Sequence, residues 1–287
     1  MGQSLWEISP AAKEIFHMAE KLRPGTEAQC FHGSSAELSL TQNTQPCLFS
    51  VDLAAACALA ENGIYPACVA GFSLGEIPAV AFSGMLSYED AFRLVIRRGE
   101  FMQQAAEATE GAMAAVLRLT NAQVEELAKK HENVYPVNYN CPGQLVVAGE
   151  KSALEAFKEE AAQLKGRVKM LNVSGGFHSP FMKTAAERLG AELKNLPFSP
   201  AKIPVYANFT AQPYGDNPAE LLEKQVSNPV RWQETIEHMI AKGVTSFVEV
   251  GAGKTLSGLI KKINQEVSVW NVEDGESLAA TLKGLNR

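Results

Sequence analysis

A short apolar run that leads into Gly71-Phe72-Ser73-Leu74-Gly75 constrains the fold more than any other part of the sequence. Residues 66–70 have strand character, and residues 77–82 after the second glycine have helical character. This order predicts a strand, a tight turn and a helix, with the serine held in a strained conformation and its hydroxyl exposed at the sheet edge. Gly71 and Gly75 would leave room for the two elements to approach, and the Leu74 N–H would lie at the helix start, where it can donate to an oxyanion.

A serine nucleophile needs a base, and His178 is the candidate among five histidines. It follows the turn-like Ser174-Gly175-Gly176 and precedes Ser179-Pro180, which predicts a helix cap. A histidine at such a junction can present its ring to a site, although a lone histidine at a helix start is more often structural. Gly-x-Ser-x-Gly alone also occurs in ordinary turns. The two features together in one chain favour a nucleophile and base pair.

Along the rest of the chain, apolar periods of 2 and 3.6 residues alternate and predict an α/β protein. Residues 47–60 predict a buried helix that opens at Pro46, and Ser87 predicts the N-cap of a long helix. Residues 111–175 have the order β-α-β-β-α-β and are interpreted as an inserted ferredoxin-like small subdomain. Residues 1–110 and 176–287 are predicted to form a large subdomain with a mostly parallel sheet, whose sites lie at the carboxyl ends of the strands.

The net charge of −6 and the absence of a basic run argue against a nucleic-acid surface. Five cysteines form an odd set without a C-x-x-C pair, which favours reduced thiols in the cytoplasm over disulfides or a zinc site. The sequence contains no apolar stretch of about 20 residues, so no membrane span is predicted. An anionic substrate would need a local cation, and one of Arg93, Arg97 and Arg98 on the predicted helix after Ser87 could point inward.

Six segments spread along the chain carry a resemblance to one enzyme family. They are Gly71–Glu76, Arg98–Gln103, Val137–Gln144, Phe177–Met182, Asn228–Trp232 and Glu249–Lys254. In them, and over essentially its whole length, the chain resembles the malonyl-CoA:acyl-carrier-protein transacylases. The resemblance implies an α/β-hydrolase-like large subdomain with a ferredoxin-like insert, which agrees with the pattern of predicted elements.

The resemblance also implies roles for individual residues. Ser73 matches the nucleophile and His178 its base, and a backbone carbonyl at Gln225 orients the histidine in place of a carboxylate. The Leu74 N–H supplies one oxyanion donor. Arg98 matches the arginine that pairs with the free malonyl carboxylate, for which a planar guanidinium gives a bidentate fit.

Substrates and partners follow from the same resemblance. Malonyl-CoA and the phosphopantetheine thiol of acyl carrier protein are the implied substrates, with no cofactor, no metal, no nucleic acid and no membrane, in a cytoplasmic monomer. Phe177 resembles the bulky residue of malonyl-selective members, which leaves little room for a 2-methyl branch. The activity would supply fatty-acid or polyketide synthesis. The alternatives are an acyl-thioester hydrolase on the same scaffold and an inactive homologue that only binds carrier protein.

Two departures from the family pattern give further expectations. Phe72 stands where histidine is common, and we expect this change to tune the site. Family members open with a strand and a Gly-Gln-Gly-Ser-Gln motif whose glutamine is the second oxyanion donor, whereas Met1–Glu7 matches the segment just after it. We therefore expect this chain to lack that strand and donor, to be weakly active and to associate. Asn140 is the candidate for a replacement donor.

Overall fold

The computed structural model describes residues 1–173 and 175–285. The helices are α1 (Gln3–Ile8), α2 (Pro10–Leu22), α3 (Thr26–His32), α4 (Ser35–Ser39), α5 (Thr41–Glu61), α6 (Glu76–Phe82), α7 (Tyr88–Glu107), α8 (Asn121–Ala128), α9 (Lys151–Gln163), α10 (Lys183–Leu193), α11 (Pro218–Ser227), α12 (Trp232–Ala241), α13 (Thr255–Ile263) and α14 (Gly275–Leu285). The strands are β1 (Val69–Ala70), β2 (Gly111–Leu117), β3 (Val134–Cys141), β4 (Gln144–Glu150), β5 (Arg167–Met170), β6 (Val205–Tyr206), β7 (Ser246–Val250) and β8 (Ser268–Val272).

Parallel strand pairs form the centre of the large subdomain, as the alternating pattern predicts. β1 pairs with β6 through Val69↔Val205, and β7 pairs with β8 over five residues. One buried cluster joins the two pairs, because Tyr206 of β6 and Phe247 of β7 belong to the same core. On another side, α2, α5 and α7 pack together over a second, larger core. The strand before the Gly-x-Ser-x-Gly turn is therefore fixed from both sides.

The helix α5 is longer than its apolar pattern predicts. It begins at Thr41, five residues before Pro46, so the expectation that Pro46 opens it is wrong. A proline there removes one backbone hydrogen bond, and burial of most residues from Gln45 to Leu59 compensates for that loss. The extra turn matters for the site because it carries Gln45.

The small subdomain has the predicted order β2-α8-β3-β4-α9-β5. Its strands lie in the sheet order β3-β4-β2-β5, and each neighbouring pair is antiparallel. This is the order of a ferredoxin-like unit, with the two helices packed on one another and on the sheet. The topology is confirmed, whereas the boundaries 111–175 stay a prediction. Within residues 1–173 and 175–285, no helix is long and apolar enough to cross a membrane.

Candidate active site

The nucleophile candidate lies on the predicted strained turn. Ser73 has a φ of 52° and begins a 3-10 turn, Ser73–Gly75, between β1 and α6. The Asn208 side chain holds the turn at both ends: its Oδ1 accepts from the Ser73 N–H at 2.7 Å, and its Nδ2 donates to the Gly71 carbonyl at 2.6 Å. A positive φ is unfavourable for serine, and these two bonds help to maintain it.

The two glycines of the motif have different roles. A Cβ at Gly71 would lie 1.8 Å from the Gly75 carbonyl oxygen, so the close approach of strand end and turn requires glycine at this position. The same expectation for Gly75 is wrong. Its φ is −58°, and a Cβ there would meet no atom within 4 Å. Gly75 takes part in the close approach through its backbone alone.

The base candidate is brought to the serine from 105 residues away in the sequence. His178 Nε2 lies 2.7 Å from Ser73 Oγ, and its Nδ1 lies 2.9 Å from the Gln225 carbonyl oxygen. A carbonyl can only accept, so Nδ1 carries the proton and donates it to Gln225. In the neutral ring Nε2 is then the acceptor for the Ser73 hydroxyl, which is the tautomer that a general base needs.

Electrostatics keep this histidine neutral. Burial and the charge of Arg98 together lower the pKa of His178 to about 4, and the hydrogen bonds to Gln225 and Asn228 oppose the shift. At neutral pH the ring is therefore unprotonated and can accept the Ser73 proton.

Of the three arginines on α7, Arg98 is the one that points inward. It is 1% exposed, whereas the Arg93 and Arg97 side chains are about half exposed and pair with acidic residues at the surface. Arg98 Nη1 donates to Gln45 Oε1 at 2.6 Å, and Nη2 donates to Gln225 Oε1 at 2.9 Å. Nη2 also lies 3.3 Å from Ser73 Oγ. A cation therefore lies directly beside the Ser73 hydroxyl oxygen.

The guanidinium stays charged at neutral pH. Burial lowers the pKa of Arg98 to about 10 against the opposing effect of the nearby Glu76 carboxylate. The Arg98 Nε is buried and has no hydrogen-bond partner within residues 1–173 and 175–285. A buried donor of this kind is unfavourable until an acceptor reaches it.

Sequence patterns missed the polar residues that support this site. Glu76 is completely buried, and its carboxylate accepts from Tyr214, Gln225 and Asn208. An acidic residue in the first turn of a helix is ordinary, because it complements the helix dipole. The sequence therefore gave no sign that Glu76 is buried. Gln45 lies before Pro46 in a polar stretch and was equally inconspicuous.

The remaining candidates have distinct surroundings. Leu74 lies in the middle of the 3-10 turn, where a backbone N–H has no acceptor in its own helix. Phe177 is partly buried and packs against clusters of both subdomains beside His178. Asn140 lies in β3, and its buried Oδ1 has no partner in the described part of the chain. The assigned roles of these three residues stay predictions.

Two other sequence features need a brief account. The Phe72 ring packs at 5.7 Å, edge to face, against Trp232 and belongs to the core around β7 and β8. The tuning role of Phe72 stays a prediction. Ser174, part of the turn expected before His178, lies outside the described residues.

Comparison with known proteins connects this geometry to one enzyme family. The acyl transferase domain family matches residues 1–281. The malonyl CoA-acyl carrier protein transacylase of Bacillus subtilis is 40% identical over an alignment that covers 99% of this chain and 92% of that protein. The crystal structure of the malonyl CoA-acyl carrier protein transacylase of Clostridium perfringens superposes with a TM-score of 0.96 at 39% identity, over 100% of this chain and 92% of that one.

A third similar structure includes a protein partner. It is a malonyl-transacylase in complex with a type II PKS acyl-carrier protein, with a TM-score of 0.94 and 33% identity over 99% of this chain and 94% of that one. These likenesses extend over the whole chain, and the predicted α/β fold is confirmed.

Proposed function

This chain belongs to the acyl transferase domain family and, within it, to the malonyl CoA-acyl carrier protein transacylases, and we propose that it transfers malonyl from malonyl-CoA to the phosphopantetheine thiol of acyl carrier protein. The observation that carries the proposal is the buried Arg98 guanidinium 3.3 Å from Ser73 Oγ. A cation beside the nucleophile is useful when the acyl group has a negative charge of its own.

The first half-reaction acylates Ser73. Its Oγ attacks the thioester carbonyl of malonyl-CoA while His178 Nε2 takes the hydroxyl proton. The Leu74 N–H donates to the oxyanion that forms on the carbonyl oxygen. Collapse of the tetrahedral intermediate breaks the carbon–sulfur bond, and His178 returns the proton to the departing coenzyme A thiolate.

The second half-reaction reverses these steps with a new thiol. His178 takes the proton of the phosphopantetheine thiol, the sulfur attacks the malonyl ester, and the same proton returns to Ser73 Oγ. The Gln225 carbonyl holds the protonated Nδ1 throughout, so the ring keeps its orientation in both halves.

Selection of the acyl group is assigned to two side chains. Arg98 binds the free carboxylate of malonyl, which would also give the buried Nε an acceptor. Phe177, next to His178 in the chain, limits the room for a 2-methyl branch. Together they favour malonyl over both acetyl and methylmalonyl.

The wider context forms part of the same proposal. Nucleophile, base and cation are all side chains of this protein, so the mechanism proceeds without a cofactor. The five cysteines are free thiols, which supports a cytoplasmic location. The product supplies fatty-acid or polyketide synthesis.

Intact mass after incubation with malonyl-CoA tests the proposal. We expect one malonyl adduct, its loss in Ser73→Ala, and its retention in the control Ser246→Ala, because Ser246 lies exposed at the start of β7. Coenzyme A release should then continue only when carrier protein is added. Continued release without carrier protein would indicate a hydrolase, and the absence of any adduct would indicate a homologue that only binds.

A further inference from the structure

One buried acidic residue near the site has no part in the mechanism above. Glu76 lies three residues after Ser73, at the first position of α6, and is completely buried. Its Oε1 accepts from the Tyr214 hydroxyl, and its Oε2 accepts from Gln225 Nε2 at 3.0 Å and from the Asn208 N–H at 3.2 Å. A buried carboxylate is unfavourable unless it is hydrogen-bonded or paired, so such complete bonding indicates a specific role.

Gln225 connects this carboxylate to three parts of the site. Its Nε2, which donates to Glu76, also donates to the Ser73 carbonyl at 2.6 Å. Its Oε1 accepts from Arg98, and its backbone carbonyl accepts from His178. A displacement of Gln225 would therefore move the base and the cation together.

Asn208 connects the same carboxylate to the nucleophile. Its backbone N–H donates to Glu76, while its side chain holds the Ser73 N–H and the Gly71 carbonyl. Glu76 is thus one residue removed from Ser73 by two routes, through Asn208 and through Gln225, and one residue removed from His178 and Arg98 through Gln225. Its partners come from distant segments, 132 to 149 residues away in the sequence, so the carboxylate joins segments that local structure cannot align.

The charge of Glu76 faces one cation and one ionisable hydroxyl. These groups are Arg98 of α7 and Tyr214 of the loop between β6 and α11, while Gln225 and Asn208 are neutral. Burial raises the pKa of Glu76 to about 7; the hydrogen bonds from Tyr214, Gln225 and Asn208 and the charge of Arg98 oppose that rise. The carboxylate therefore changes protonation in a range where His178 stays neutral.

We propose that Glu76 is a positioning residue, whose ionised carboxylate aligns Ser73, His178 and Arg98 through Asn208 and Gln225 and balances the Arg98 charge. The inference rests on the proposed function, because it uses acylation of Ser73 as its readout. It can be tested apart from Arg98 selectivity with acetyl-CoA, since Ser73 and His178 serve every acyl group and acetyl has no carboxylate for Arg98.

Glu76→Gln tests the charge with little change in shape. The amide oxygen can still accept from Gln225 and Asn208, and its NH₂ can donate to the Tyr214 oxygen. We expect acylation at pH 8 to fall by about 10²-fold for acetyl-CoA and by at least as much for malonyl-CoA, because misplacement of reacting groups has effects of this order. The matched control is Glu187→Gln, whose side chain is 60% exposed on α10.

The pH profile provides a readout that a purely structural role would not change. In the wild type we expect the acylation rate to fall as the pH drops through about 7, where Glu76 takes up a proton. Glu76→Gln should lack this step and keep only a step at lower pH, where His178 becomes protonated. Tyr214→Phe removes one hydrogen-bond donor to the Glu76 carboxylate, which raises the pKa of Glu76. The step in the acylation rate near pH 7 should therefore move to higher pH by about one unit in this variant.

These experiments distinguish failure of the Glu76 proposal from failure of the proposed function. A folded Glu76→Gln with wild-type rates and a wild-type profile would overturn the proposal. If that variant does not fold, Tyr214→Phe decides: a step moved to higher pH supports the positioning role, and an unmoved step overturns it. Absence of acylation in the wild type would instead contradict the proposed function, which keeps the two failures distinct.

Discussion

Arg98→Ala should change the selectivity of the enzyme more than its ability to form an ester. The substitution removes the only described cation beside Ser73 Oγ, within residues 1–173 and 175–285. Malonyl loses its charge-assisted partner, whereas acetyl never had one. We therefore expect the ratio of malonyl to acetyl transfer to fall steeply.

The magnitude follows from the burial of the guanidinium. Arg98 is 1% exposed, and loss of one partner from a desolvated, hydrogen-bonded charge pair costs about 2–5 kcal/mol. At about 1.4 kcal/mol per tenfold change, the selectivity ratio should fall by roughly 30-fold to several thousand-fold. Gln45 and Gln225 also lose a donor, which costs both substrates about the same amount, so the ratio isolates the carboxylate.

The assay is acylation of Ser73 by malonyl-CoA and acetyl-CoA in separate single-turnover reactions. Arg93→Ala is the matched control, since Arg93 lies on the same helix with its side chain 57% exposed. Arg98→Lys should give an intermediate ratio, because an ammonium keeps the charge and loses the planar fork. Equal losses for malonyl and acetyl in Arg98→Ala would refute the carboxylate role and leave Arg98 as a structural residue.

Three further predictions concern the base, the acyl pocket and folding. His178→Ala should leave binding intact and slow acylation by about 10²-fold or more in rapid-quench measurements, and a wild-type rate would mean that another base acts. Phe177→Ser should raise the ratio of methylmalonyl to malonyl transfer in competition, and an unchanged ratio would remove Phe177 as the steric gate. Folding lowers the pKa of His178 from 6.5 to about 4, so the contribution of this residue to stability falls as the pH drops from 6.5 to 4. Folding raises the pKa of Glu76 from 4.5 to about 7, so the contribution of this residue falls as the pH rises from 4.5 to 7. These two pH dependences of stability oppose each other in the wild type. In Glu76→Gln only that of His178 remains, so urea unfolding should show the free energy of unfolding rising by about 3 kcal/mol from pH 4 to 6.5. Parallel curves of stability against pH for both proteins would contradict these pKa shifts.

Much of the fold could be predicted because its signals are local. The Ser87 hydroxyl accepts from the Asp90 N–H three residues away, as the cap pattern of α7 predicts. The small subdomain alternates strand and helix periods within 60 residues, so its order was readable. The helix α11 was missed, since its polar residues and a preceding loop gave no clear period. β1 and β6 contain two residues each and are defined by tertiary packing rather than by propensity.

The reacting residues could also be proposed from the sequence, while their support could not. Ser73 and His178 lie in turns with distinctive neighbours, and a strained turn is visible in its glycines. Glu76, Tyr214 and Asn208 are ordinary in their local contexts. Their hydrogen bonds join residues more than 130 positions apart, and a single sequence has no signal for such contacts.

The missed helix explains how the site works without a carboxylate behind its histidine. Gln225 lies in the last turn of α11, where carbonyl groups have no N–H partner within the helix. One of these free carbonyls accepts a hydrogen bond from the His178 Nδ1–H. The negative end of the helix dipole therefore faces the ring that becomes positive in the proposed proton transfer. A carboxylate at this place would have added a second buried charge beside Glu76 and raised the pKa of both acids. In the proposed mechanism the helix end stabilises the imidazolium through a partial charge, and the full negative charge of the ionised Glu76 carboxylate balances Arg98.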